Sequence, residues 1–160
     1  MAVVRVIGCG TPDAGDDAAG LLAVRAARAE LASLSDVEVV ESASPLDVVH
    51  LLEGADAAVL VDAVRTPSGG RRPGELVRAE AARGEPVPVE LRSSLSSHGL
   101  GLAEAVGLAA AMGPVPRVLV LGVEVGDVTA GAGLSPPVAA ALPDLVERLL
   151  AEVSRLLEAG

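Results

Sequence analysis

Asp17, Asp62 and His98 are the side chains of this 160-residue chain whose types and spacing could do chemistry together. Asp17 closes the segment that opens with the apolar run Val3–Ile7. Asp62 directly ends the run Ala57–Val61, and His98 follows Ser93-Ser94-Leu95-Ser96-Ser97 and precedes Gly99-Leu100-Gly101. In an open parallel sheet the carboxyl ends of the strands share one edge, so residues far apart in sequence can meet there. Two carboxylates and an imidazole at such an edge point to a divalent metal site with open coordination positions.

The elements that must position these residues alternate along the chain. Val3–Ile7, Val37–Glu41, Ala57–Val61 and Arg117–Val123 are short aliphatic runs of the kind buried on both faces of a sheet. Helix-period segments separate most of them: Asp17–Leu34, a helix opened by Ser44-Pro45-Leu46-Asp47 in a capping-box-like pattern, and Gly99–Met112. This rhythm predicts a three-layer α/β/α fold with a mostly parallel twisted sheet of about five strands. Between Arg65 and Val89 the rhythm breaks into Pro- and Gly-rich turns, a candidate substrate-contacting loop. Within it Gly74–Glu80 alternates enough to form an antiparallel edge strand. Ser135–Leu157 reads as a final helix in which Pro143 forces a kink or a break. With no repeat and no low-complexity stretch, residues 1–160 are expected to form a single domain.

Composition excludes several functions. Phe, Trp and Tyr are absent and the formal net charge is −10, so the chain lacks stacking platforms for bases and repels phosphate backbones. Nucleic acid is therefore not an expected partner. Each apolar run is interrupted well before the roughly 18 residues a membrane span requires, and the start shows no secretory signal pattern. A cytoplasmic protein without membrane association is expected. Cys9 is the single cysteine, which excludes an internal disulfide and a cysteine-only metal cluster.

Other motifs carry less. Gly8-Cys9-Gly10 stands between a strand and a helix, as in a dinucleotide fingerprint, but Pro12 lacks an N–H and Asp16 and Asp17 would repel a pyrophosphate. The glycines fit better as a sharp turn that carries the acidic pair to the sheet edge. His50 lies mid-helix with nothing to bring it to that edge. Acidic neighbours raise a thiol pKa, so Cys9 reads as a small packing residue. Serines beside His98, with Asp62, invite a Ser-His-Asp reading, yet no strand-Gly-x-Ser-x-Gly-helix elbow is present.

Five blocks in order resemble the nickel-iron hydrogenase maturation endopeptidases. They are Gly8-Cys9-Gly10-Thr11 through Asp16-Asp17 and Gly20, Leu60-Val61-Asp62-Ala63-Val64, Ser97-His98-Gly99 through Glu104, Gly122-Val123-Glu124, and Gly133-Leu134-Ser135-Pro136. Together they cover almost the whole chain. Thr11 stands where the family most often has Asn, and Asp17 where some members have Glu. The resemblance implies an endopeptidase that removes the C-terminal extension of a hydrogenase large-subunit precursor once nickel is installed. It makes Asp17, Asp62 and His98 both the nickel ligands and the catalytic residues, and leaves Asp16 to cap the following helix. Nickel would arrive in the substrate, leaving the free enzyme metal-free. The alternative is a nickel-dependent accessory protein of the same fold that docks without cutting.

Overall fold

A computed structural model describes residues 3–65, 70–87, 101–126 and 133–159. In chain order the elements are β1 (Val4–Cys9), a 3-10 turn (Gly15–Ala18), α1 (Ala19–Ala32), β2 (Val37–Ser42), α2 (Pro45–Leu51) and β3 (Ala57–Val64). They continue with β4 (Leu76–Ala81), α3 (Leu102–Met112), β5 (Arg117–Glu124) and α4 (Pro136–Ala159). The strands form one sheet in the order β2-β1-β3-β5-β4. Four of them are parallel, and β4 lies antiparallel along the outer side of β5. This is the expected three-layer α/β/α architecture, with the Gly74–Glu80 segment supplying the edge strand.

Alternation along the central strands divides the core in two. On β3, Val59 and Val61 pack with Val24 and Leu31 of α1 and Leu145 and Leu149 of α4. Ala58 and Leu60 point the other way, toward Val48 and Leu52 beside Leu102 and Val106 of α3. Every residue of β3 is buried, which is why this strand reads as a continuous apolar run rather than an alternating one. Val, Leu and Ala, joined by Ile7 and Cys9, fill both layers without a single aromatic ring.

The chain leaves β1 through α1 to β2 on one side, then returns through α2 on the opposite face to β3 on the other side. The connections therefore reverse between β1 and β3. In open α/β sheets, the carboxyl end of such a switch point is where ligands bind.

Local sequence explains the start of α2. Ser44 caps α2, its hydroxyl accepting from Leu46 N–H at 3.3 Å, with Pro at the first turn. Pro143, expected to kink or break the last helix, sits inside a single element, α4. Its ring removes a bond to the carbonyl of Ala139, and both residues are exposed, so water can take that carbonyl. Among the described residues no helix is long and apolar enough to cross a membrane.

Candidate active site at the β1/β3 switch point

Asp62 was expected to close its strand; instead it lies inside β3, in register with Gly122 of β5. The pairing of β3 with β1 ends one residue earlier, at Gly8 and Val61, while the last residue of β1, Cys9, pairs only with Ser42 of β2. Asp62 thus occupies the place where its strand loses one neighbour but keeps the other. By alternation it points to the face shared with Ala58 and Leu60, the layer of α2 and α3.

The turn after β1 brings Asp17 to the same place. Gly10 adopts φ 145°, a conformation few side chains tolerate, and a Cβ there would collide with the carbonyl of Asp17. Gly20 seats α1 directly on the strand ends, since a Cβ on it would meet the carbonyl oxygens of Val61 and Cys9. The two glycines pull the Asp16-Asp17 turn down onto β1 and β3. Asp17 is half-buried, and its Oδ2 accepts the backbone N–H of Thr11 at 3.0 Å. Because that donor is main chain, a threonine at position 11 supplies it as well as an asparagine would.

Asp62 is only 7% exposed. Burial pushes its carboxyl well above the ordinary range, the charge of Asp17 raises it further, and a bond from Ala63 N–H at 2.8 Å partly opposes both. Cys9, on the same face, is also buried. Its thiol is raised by burial, then by Asp62 and Asp17, and lies 3.7 Å from the carbonyl oxygen of Ile7. A thiol held neutral in this way is a poor nucleophile, in keeping with its reading as a packing residue.

Asp16 does not cap the helix. The turn it belongs to shows no side-chain cap, and its carboxylate is wholly buried, accepting Gly126 N–H at 2.6 Å and Ser135 N–H and hydroxyl at 2.7 Å each. Residue-level reasoning missed this role, although the serine of the Gly133-Leu134-Ser135-Pro136 block was a signal for it. His50 is exposed on α2. His98 lies outside the described residues. Among the described residues no three His, Cys, Asp or Glu side chains are grouped to hold a metal, so the acid pair needs a donor from elsewhere to complete a site.

Residues 22–152 match a family model described as hydrogenase maturation protease. The chain belongs to that family. Solved structures of similar fold include the hydrogenase maturating endopeptidase HybD from Escherichia coli, at 24% identity and a TM-score of 0.76, covering 96% of this chain and 93% of that one. The [NiFe] hydrogenase maturation protease HybD from Thermococcus kodakarensis is also 24% identical, with a TM-score of 0.64 over 94% of this chain and 97% of that one. HycI from the same archaeon is 22% identical, with a TM-score of 0.65 over 95% and 92%. At these identities the likeness establishes the fold. No curated protein sequence matches the chain significantly. As a member of the hydrogenase maturation protease family, the chain carries Asp62 and residue 98 within the matched span, whereas Asp17 falls just before it.

Proposed function

We propose that the chain is a cytoplasmic endopeptidase that removes the C-terminal extension of a [NiFe] hydrogenase large-subunit precursor, recognising nickel in that substrate through Asp17, Asp62 and His98. The observation that carries this reading is the pairing of a buried carboxyl, Asp62, with a second acid, Asp17, at the β1/β3 switch point. A buried carboxyl and a second acid at a ligand-binding edge are poised for a cation, since a divalent ion would offset the negative charge that burial disfavours on Asp62.

Nickel belongs to the substrate in this account. The family description supports hydrolysis of a hydrogenase precursor. Cys9 is unsuited to covalent attack, so the chain's own contribution is to grip the substrate's metal centre and with it the nearby peptide bond.

Incubating the purified protein with nickel-loaded precursor and measuring the precursor's mass tests the proposal. A shortened chain is expected. A stable complex with the precursor intact would favour the docking alternative.

A further inference from the structure

We infer that Asp16 is a positioning residue for Asp17, an inference that rests on reading Asp17 as a ligand for the substrate's metal. Among the described residues its carboxylate accepts Gly126 N–H at 2.6 Å, Ser135 N–H at 2.7 Å and Ser135 Oγ–H at 2.7 Å. These donors lie just beyond β5 and at the residue before α4, 110 and 119 residues away in sequence. Asp16 is 0% exposed.

The geometry gives the clamp its consequence. Asp16 and Asp17 occupy consecutive positions of one 3-10 turn that has no side-chain cap of its own. A short turn without a cap frays readily, because such turns have poor hydrogen-bond geometry. Here one of its residues is fixed by the segments that follow β5 and precede α4, so the backbone of the next residue is fixed too. Asp17 is then held from one side by its neighbour's clamp and from the other by Thr11 N–H on its own Oδ2. Ser135, which precedes α4, donates its hydroxyl to Asp16.

The chemistry of the clamp requires a carboxylate. An ionised carboxylate offers two acceptor oxygens and no donor, whereas an amide offers one acceptor and sets an NH2 against a donor. Asp16→Asn therefore breaks the clamp at nearly constant shape. Groups that orient a metal ligand from behind commonly change metal affinity by about 10–100-fold when removed.

Titration of Ni2+ alone into the full-length protein, followed by calorimetry, tests the role, with thermal unfolding measured in parallel to verify that each variant is folded. Folded Asp16→Asn is expected to bind Ni2+ about 10–100-fold more weakly than wild type. Ser135→Ala should weaken binding less, and Ser135→Thr, which restores the hydroxyl, should recover it. Wild-type affinity in folded Asp16→Asn, beside lost affinity in Asp17→Asn, overturns the positioning role and leaves the metal reading standing. Wild-type affinity in Asp17→Asn overturns both. If Asp16→Asn does not fold, the Ser135 pair decides: equal affinities in Ser135→Ala and wild type overturn the inference, and a loss rescued by Ser135→Thr supports it.

Discussion

The charge of Asp17 raises the carboxyl of Asp62, second only to the effect of burial itself. The turn after β1 supplies one acid and the middle of the sheet supplies the other. Among the described residues neither has a cationic side chain as a hydrogen-bond partner: Asp17 accepts from Thr11 N–H and Asp62 from Ala63 N–H. A buried carboxyl beside another acid destabilises a fold, and the proposed recognition of a cation would relieve that cost.

That cost should be visible as a function of pH. Below about pH 3.9, the ordinary Asp value, Asp62 is protonated in both folded and unfolded chains and costs nothing. As pH rises toward the higher folded pKa, the unfolded chain gives up its proton first and stability falls. Asp62→Asn keeps an acceptor for Ala63 N–H and escapes this loss. Its melting temperature in the absence of metal should exceed that of wild type at neutral pH and converge with it in acid. A variant less stable than wild type at neutral pH would contradict the assignment.

Glu152 should behave in the opposite sense. Hydrogen bonds from Arg78 outweigh burial and, with Arg155, hold its carboxyl below the usual range. Its contribution is present above about pH 4.3, the unfolded value, and is lost as pH falls through the lower folded pKa. The side chains of Arg78 and Arg155 are 36% and 39% exposed, so screening limits the effect. Glu152→Gln should cost on the order of 1 kcal/mol at neutral pH, with the difference closing in acid, as measured by urea unfolding. A pH-independent difference would show that packing and not charge is responsible.

Gly20→Ala tests how the acid pair is assembled. A methyl group there meets the carbonyl oxygens of Val61 and Cys9, and overpacking of this kind costs about 1–3 kcal/mol. Because α1 must lift off the strand ends, the Asp16-Asp17 turn should move with it, and precursor processing should fall even where the variant remains folded. Full activity in a destabilised variant would show that the site does not depend on that seat.

Much of this was legible in the chain. The aliphatic runs gave four strands, the broken region gave the edge strand, and the alternation of elements gave a mostly parallel sheet in which Asp17 comes near enough to act on the carboxyl of Asp62. Three features were not legible. Asp62 lies inside β3 because β5 continues to pair beside it after the pairing with β1 has ended, which depends on a neighbour distant in sequence. Asp16 looked like a cap because an acid at a helix start usually is one; its actual donors come from Gly126 and Ser135. Pro143 was expected to kink or break the last helix; α4 continues through it, because the carbonyl it leaves unbonded, that of Ala139, belongs to an exposed residue that solvent can reach.

His98 enters through the family resemblance, and its role can be tested separately from the acids. Calorimetry with Ni2+ should show lost binding in His98→Ala and nearly unchanged binding in Cys9→Ser, since the thiol is buried and held neutral. Unchanged affinity in His98→Ala would remove the imidazole from the site.

Metal dependence carried by the substrate is the central claim, and a side-by-side processing assay measures it most directly. Wild-type protein, freed of metal, is incubated with nickel-loaded and with metal-free large-subunit precursor, and with the nickel-loaded form again using Asp62→Asn, each followed by mass spectrometry. The account predicts a shortened precursor only for wild type with the nickel-loaded form, and an intact one in the other two, because Asn keeps the shape of Asp62 without the charge that holds a divalent ion. Rapid cleavage of the metal-free precursor, or wild-type activity in Asp62→Asn, would contradict it.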